Sequence, residues 1–166
     1  KDAGADETIL YPRDVSGAEQ QKAMAAIFKE AAGSHGVDVV YDPVGGDYAE
    51  PAFRSLGWGG RYLVIGFTAG IPRIPLNLTL LKSCDIRGVF WGAFMDRAPE
   101  HNRQNVDQLF AWWQEGKINP RIDRVFPLEL GGDAIQWVKD RKAVGKVVVK
   151  VRDLTVEPTG SVGAGG

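Results

Sequence analysis

Apolar positions recur along this chain with two different periods, and the two alternate. Nearly continuous apolar runs, "VDVVYD" at Val37 to Asp42 and "RYLVIGF" at Arg61 to Phe67, read as strands buried on both faces. Around them apolar residues return at helical spacing. "SGAEQQKAMAAIFKEAAG" opens with Ser16 and Glu19 spaced as a capping box and puts Met24, Ile27, Phe28 and Ala31 on one face. It stops at Gly33, so it predicts a helix. A shorter helix is expected over Tyr48 to Leu56, ended by Gly57. A long one is expected from Pro99 to Glu115, with Val106, Leu109, Phe110 and Trp113 as its apolar stripe and Gly116 closing it. Further strands are expected at Glu7 to Tyr11, "ETILY", and along "DIRGVFWGAF" from Asp85 to Phe94. "RIDRVFPL", "GGDAIQWVKDR" and "GKVVVKV" then add strand, helix and strand, and the tail "EPTGSVGAGG" is expected to be flexible.

Strands and helices in alternation, with fully apolar strands, indicate a parallel sheet whose crossover helices cover both faces. Such sheets bind ligands just past the carboxyl ends of their strands. Gly45 and Gly46 follow one strand, and Gly66 ends the next. Glycines at those places either make turns or clear side chains from where a flat ligand approaches the backbone.

Composition narrows the possible chemistry. With 166 residues and 44% apolar content the chain suits one domain or a little more, around a real core. A formal charge of -1 leaves no basic field for a nucleic acid or an acidic membrane surface. No apolar run approaches the ~20 residues that span a bilayer, and the N-terminus lacks the design of a signal peptide. Cys84 is the single cysteine, which rules out an intrachain disulfide and a structural zinc cluster and fits a cytoplasmic location. It reads as a buried thiol at a strand start. His35 and His101 lack partners at ligand spacing, so no metal site is expected. The five tryptophans are too dispersed for a stacking platform. No catalytic acid, base or nucleophile emerges, a pattern that suits chemistry carried by a cofactor.

Five fragments, "GVDVVYDPVGG", "LGWGGRYLVIGFTAG", "IPLNLTLLK", "GVFWG" and "RKAVGKVVVKV", occur in an order and spacing that carry a resemblance. From about Ala3 to Val151 the chain closely resembles the C-terminal half of the zinc-independent medium-chain dehydrogenase/reductases, in particular the NADPH:quinone oxidoreductase group related to zeta-crystallin. The resemblance implies an α/β fold: a partial Rossmann-type doubly wound parallel sheet, strands 3 to 6 of the family order, plus a C-terminal strand-helix-strand belonging to the catalytic domain. The implied divisions are 1–118 for the nucleotide-binding part, 119–152 for the return segment and 153–166 for the tail. The implied cofactor is NADPH, and its choice over NADH rests on the resemblance alone. Tyr11 matches a position near the adenosine phosphate, and Gly45 and Gly46 lie beside the cofactor. Ile65, Gly66 and Phe67 match positions lining the ribose and nicotinamide. The backbone of Val89, Phe90 and Trp91 matches the stretch that hydrogen-bonds the carboxamide, a group needing both a donor and an acceptor.

The departures carry weight too. No glycine-rich turn at a helix N-terminus, the usual seat of a pyrophosphate, occurs in the chain. "GGDYAE" and "GWGG" hold glycines in the wrong context. The N-terminal catalytic domain of the family is also missing, so the chain reads as the second half of a longer enzyme. Without strands 1 and 2, a strand at Glu7 to Tyr11 would face a gap of ~10 Å, two strand spacings, unless it paired directly beside the strand at Val37. The expected function is NADPH-dependent reduction of a quinone or related conjugated carbonyl, with this chain supplying the nicotinamide-side half of the cleft. The alternatives are an enoyl thioester reductase of the same fold and a non-catalytic remnant or dimerising module. A methyltransferase suits neither the missing first glycine loop nor the "GKVVVKV" ending. A homodimer is expected through the strand edge at Asp85 to Phe94, which carries Phe90, Trp91 and Phe94 with few blunting charges or prolines.

Overall fold

A computed structural model describes residues 1, 3–13 and 15–152. The flexible-tail expectation falls on residues outside these. The chain packs as two units, Lys1–Pro99 and Glu100 onward, each described by itself.

In the first unit α1 (Ala18–Ala32) precedes β1 (Val37–Asp42), a 3-10 turn at Gly46–Tyr48 leads into α2 (Ala49–Arg54), and β2 (Leu56–Val64) follows at once. Then come α3 (Asn77–Lys82), β3 (Asp85–Gly88) and α4 (Trp91–Arg97). The sheet order is β1-β2-β3, all parallel. Val40 pairs with Tyr62 and Tyr62 with Ile86, so these three share one face. On that face Ala49 and Phe53 from α2 and Leu78 from α3 close over Leu56 and Tyr62 to form the core. Phe53 and Tyr62 are fully buried with ring centroids 5.5 Å apart. Full burial of a side chain of the size of Phe53 contributes ~1.5–3 kcal/mol. The row Val39, Arg61, Asp85 lies on the opposite face, where Val39 and Tyr41 are exposed and Arg61 pairs with Asp85 at 2.8 Å.

All of α5 (Pro99–Gln114) but its first residue belongs to the second unit, and Gly116 at φ +71° closes it as its sequence predicts. β4 (Ile122–Pro127), a 3-10 turn at Leu128–Leu130, α6 (Gly131–Lys139) and β5 (Lys146–Lys150) follow, and β4 and β5 pair in parallel. Phe126 and Ala134 are its buried apolar residues. The Trp137 indole donates to Asp123 at 2.9 Å, and the Arg124 guanidinium lies 4.4 Å from the Trp137 ring centroid. Among the described residues no helix is long and apolar enough to cross a membrane.

Several elements differ from expectation. Glu7–Tyr11 is no strand: it joins no ladder and Leu10 is fully exposed. A strand is made by its neighbour, and this segment lies against Phe28 and Tyr48 instead of an edge. "DIRGVFWGAF" splits in the same way, because the ladder ends where β2 ends and the aromatic run coils into α4. β2 begins at Leu56, shortening the helix expected to run that far, and three more residues pass along β2 than along β1 between the pairs Val37–Leu56 and Val39–Arg61. α1 starts at Ala18 with Gly17 at its N-cap position, one residue later than Ser16 and Glu19 place it. α3 is a further element, too short to show a helical period.

Candidate nucleotide-binding surface

The carboxyl ends of β1, β2 and β3 lie side by side, and the chain leaves each through an uncharged loop. Pro43–Gly46 follows β1, and Ile65–Gly70 follows β2. Val89 extends β3 by donating its N–H to Val64 O at 2.9 Å.

The first two loops are laced together. Asp42 O accepts from Ile65 N at 2.9 Å and from Gly66 N at 3.3 Å. Ala69 N donates to Val44 O at 2.8 Å, and Gly46 N to Gly70 O at 2.7 Å. This closeness explains the glycines. Gly45 and Gly46 have φ of +69° and +57°, in the left-handed region, and a Cβ at Gly45 would stand 2.7 Å from Gly70 O. A Cβ at Gly66 would meet Pro43 O at 3.1 Å. Their missing side chains let one backbone lie against the next.

Beneath the loops sits a group that periodicity does not reveal. The Asp42 carboxylate is buried. Its Oδ1 accepts from Val44 N at 2.8 Å and Gly45 N at 3.0 Å, and its Oδ2 accepts from the Tyr62 hydroxyl. Burial first, and then the hydrogen bond and charge of Asp42, hold the Tyr62 hydroxyl far above the ordinary tyrosine range. "DPVGG" does carry the signal of an Asp turning back onto its own backbone. Tyr62, in another strand, has no such signal.

The nine residues singled out by resemblance do not form one cluster. Gly45, Gly46, Ile65, Gly66 and Phe67 belong to the laced loops, and Val89 adjoins them through Val64. Phe90 and Trp91 lead into α4 with much of their surface exposed. Tyr11 stands on the far side of β1, its ring centroid 5.4 Å from that of Tyr48, whose hydroxyl donates to Pro12 O at 3.0 Å. There Tyr11, Phe28, Val39, Tyr41 and Val44 line a groove of about 560 Å³. Cys84 packs half-buried against the core, and burial pushes its thiol up. Among the described residues no group of three or more His, Cys, Asp or Glu side chains could hold a metal ion.

The donor set fits one end of a dinucleotide. Pro43–Gly46, Ile65–Gly70 and Val89–Trp91 contain no ionisable side chain, their polar side-chain groups are the Thr68 hydroxyl and the Trp91 indole N–H, and Phe67, Phe90 and Trp91 are exposed. Such a surface suits an uncharged ring, its carboxamide and a ribose; it offers a pyrophosphate no cation, and the Gly45 and Gly46 N–H groups at the turn into α2 are already spent on Asp42 and Gly70 O.

Parallel strands ending in glycine loops at one edge define part of a Rossmann-type α/β domain. The sequence pattern of the zinc-binding dehydrogenase family matches residues 3–149, and the chain belongs to that family. Quinone oxidoreductase-like protein 2 of Bos taurus is 36% identical over 155 residues, covering 90% of this chain and 44% of its own. A mycobacterial quinone oxidoreductase structure is 27% identical with a TM-score of 0.71, covering 89% of this chain and 44% of that one. A mycobacterial structure in complex with NADPH is 27% identical with a TM-score of 0.72 and the same coverage of 89% and 44%. The chain thus spans less than half the length of these relatives.

Proposed function

We propose that this chain supplies the nicotinamide-side wall of an NADPH cleft in an oxidoreductase that reduces quinones or related conjugated carbonyls. The observation that carries the reading is the level row of three strand ends, each leaving through a glycine- or aromatic-rich loop without a charge. NADPH, when bound, supplies the hydride. Ile65–Phe67 and Val89–Trp91 would then border the ring, Gly45 and Gly46 the adjoining ribose, and the exposed rings of Phe67 and Trp91 would keep water from it. No side chain of this surface is suited to moving a proton, so positioning and water exclusion are its contribution.

The test is an amide chemical-shift titration of the 166-residue chain with NADPH. Without a pyrophosphate seat binding should be millimolar, worth ~4 kcal/mol, with shifts concentrated at Phe67, Val89, Phe90 and Trp91. Shifts scattered elsewhere, or none at saturating nucleotide, would remove the reading. Micromolar binding would mean that another segment holds the phosphates.

The same reading includes a homodimer through the outer edge of β3, whose four residues are all exposed. Val89 N–H is already spent on β2. By strand alternation the outward donors are therefore Ile86 and Gly88. Gly88→Pro deletes one of them where a Cβ meets nothing within 4 Å. Sedimentation should show a dimer for the wild type and a monomer for the variant; a monomeric wild type, or a variant still dimeric, excludes this edge.

A further inference from the structure

We propose that Asp42 and Tyr62 are positioning residues for this surface: a buried hydrogen-bonded pair that ties the packed core to the Pro43–Gly46 loop and, through it, to Ile65–Gly70. The inference rests on the cofactor reading above and assigns the part that holds the surface in shape. Tyr62 is rooted by its ring, fully buried against Phe53 at 5.5 Å, and its hydroxyl reaches along the covered face to Asp42 at the end of the neighbouring strand. One carboxylate oxygen takes that hydroxyl while the other takes the amides of Val44 and Gly45. Val44 in turn receives Ala69 N at 2.8 Å, and Gly46 donates to Gly70 at 2.7 Å. An unbroken path of hydrogen bonds therefore runs from the centre of the core to both loops. The division of labour between the two oxygens makes it testable, because removing the phenol hydroxyl leaves the local turn its own acceptor and cuts only the link to the core. A buried acceptor that loses its donor is costly, so Asp42 would shift toward solvent and carry the loop with it.

The experiment is amide hydrogen exchange on the 166-residue chain, compared with Tyr62→Phe and Asp42→Asn. Tyr62→Phe keeps the ring. It should speed exchange at Val44, Gly45, Gly46 and Ala69 about tenfold, the scale of one buried hydrogen bond, with Val40 and Leu63 in mid-strand unchanged. Asp42→Asn keeps an acceptor for the amides and gains a donor toward the Tyr62 oxygen, so its loops should exchange as in the wild type. A uniform acceleration across β1 and β2, or none at the loops, overturns the proposal. Should Tyr62→Phe fail to fold, Asp42→Ser, which serves the local amides but cannot reach Tyr62, carries the same test. The second measurement is the NADPH-induced shift at Phe67 and Val89, whose midpoint should rise about tenfold in Tyr62→Phe, in step with the loops. Loosened loops with an unchanged NADPH midpoint overturn the positioning role. Loosened loops with no NADPH response even in the wild type remove the cofactor reading alone and leave the pair as the anchor of the loops.

Discussion

The two units use similar ingredients, parallel strands, a short helix between them and an amphipathic longer helix, yet they bury them very differently. Val15, Met24, Ala49, Phe53, Leu56, Tyr62 and Leu78 are enclosed in the first unit, against Phe126 and Ala134 in the second. α5 encloses none of its residues, and its Phe110 and Trp113 keep 61% and 55% of their surface. The first unit therefore has a core able to hold loops in place. The second encloses few side chains and relies on part-buried contacts, such as the Trp137–Asp123 hydrogen bond with the Arg124 guanidinium over the same indole.

The largest expected effect exposes this contrast directly. Phe53→Ala empties a fully buried site and should cost ~3–5 kcal/mol, whereas Trp113→Ala, half exposed, should cost less than ~1 kcal/mol. Urea unfolding followed by circular dichroism measures both, and equal losses would erase the distinction. Next come two glycines of similar φ, Gly45 at +69° and Gly59 at +72°; a Cβ meets Gly70 O at 2.7 Å in the first case and nothing within 4 Å in the second. Alanine at Gly59 should cost ~1–2 kcal/mol of left-handed strain, and alanine at Gly45 should cost more, since the laced loop must also move. Thermal melts of the two variants decide it, and equal shifts would mean that the lacing carries no weight. The smallest effect is one of pH. The Tyr62 hydroxyl is held above its unfolded value, chiefly by burial, so its contribution is fully present below the unfolded pKa of ~10 and is lost as pH rises beyond it. Urea midpoints measured from pH ~8 to ~11 should fall in the wild type and fall less steeply in Tyr62→Phe, where the Cys84 thiol, also raised by burial, still titrates; parallel curves would show that Tyr62 contributes nothing to the fall.

What sequence could reveal divides along the same physical line. α1, β1, α5 and the β4-α6-β5 segment were legible because their patterns are local: a helical stripe between glycines, or a short apolar run between turns. Glu7–Tyr11 and Phe90–Phe94 were misread because a strand exists only where a partner edge does, and apolar aromatics suit a buried strand and a short helix equally. In the site, Gly45, Gly46 and Gly66 stood out as punctuation, but their close approach to a neighbouring loop depends on which strands pair. The contact between Asp42 and Tyr62 spans twenty positions and two strands, and no periodicity encodes it.

The laced loops have a thermodynamic consequence. Ordering one residue's backbone costs ~1–2 kcal/mol of conformational entropy, and at Pro43–Gly46 and Ile65–Gly70 folding itself has already absorbed that cost. Whatever settles on this surface meets a rigid floor, so little of the heat and none of the slow kinetics of a disorder-to-order transition should accompany its arrival. The receptor's flexibility drops out of the affinity there, which leaves the ligand's own shape and hydration to set it.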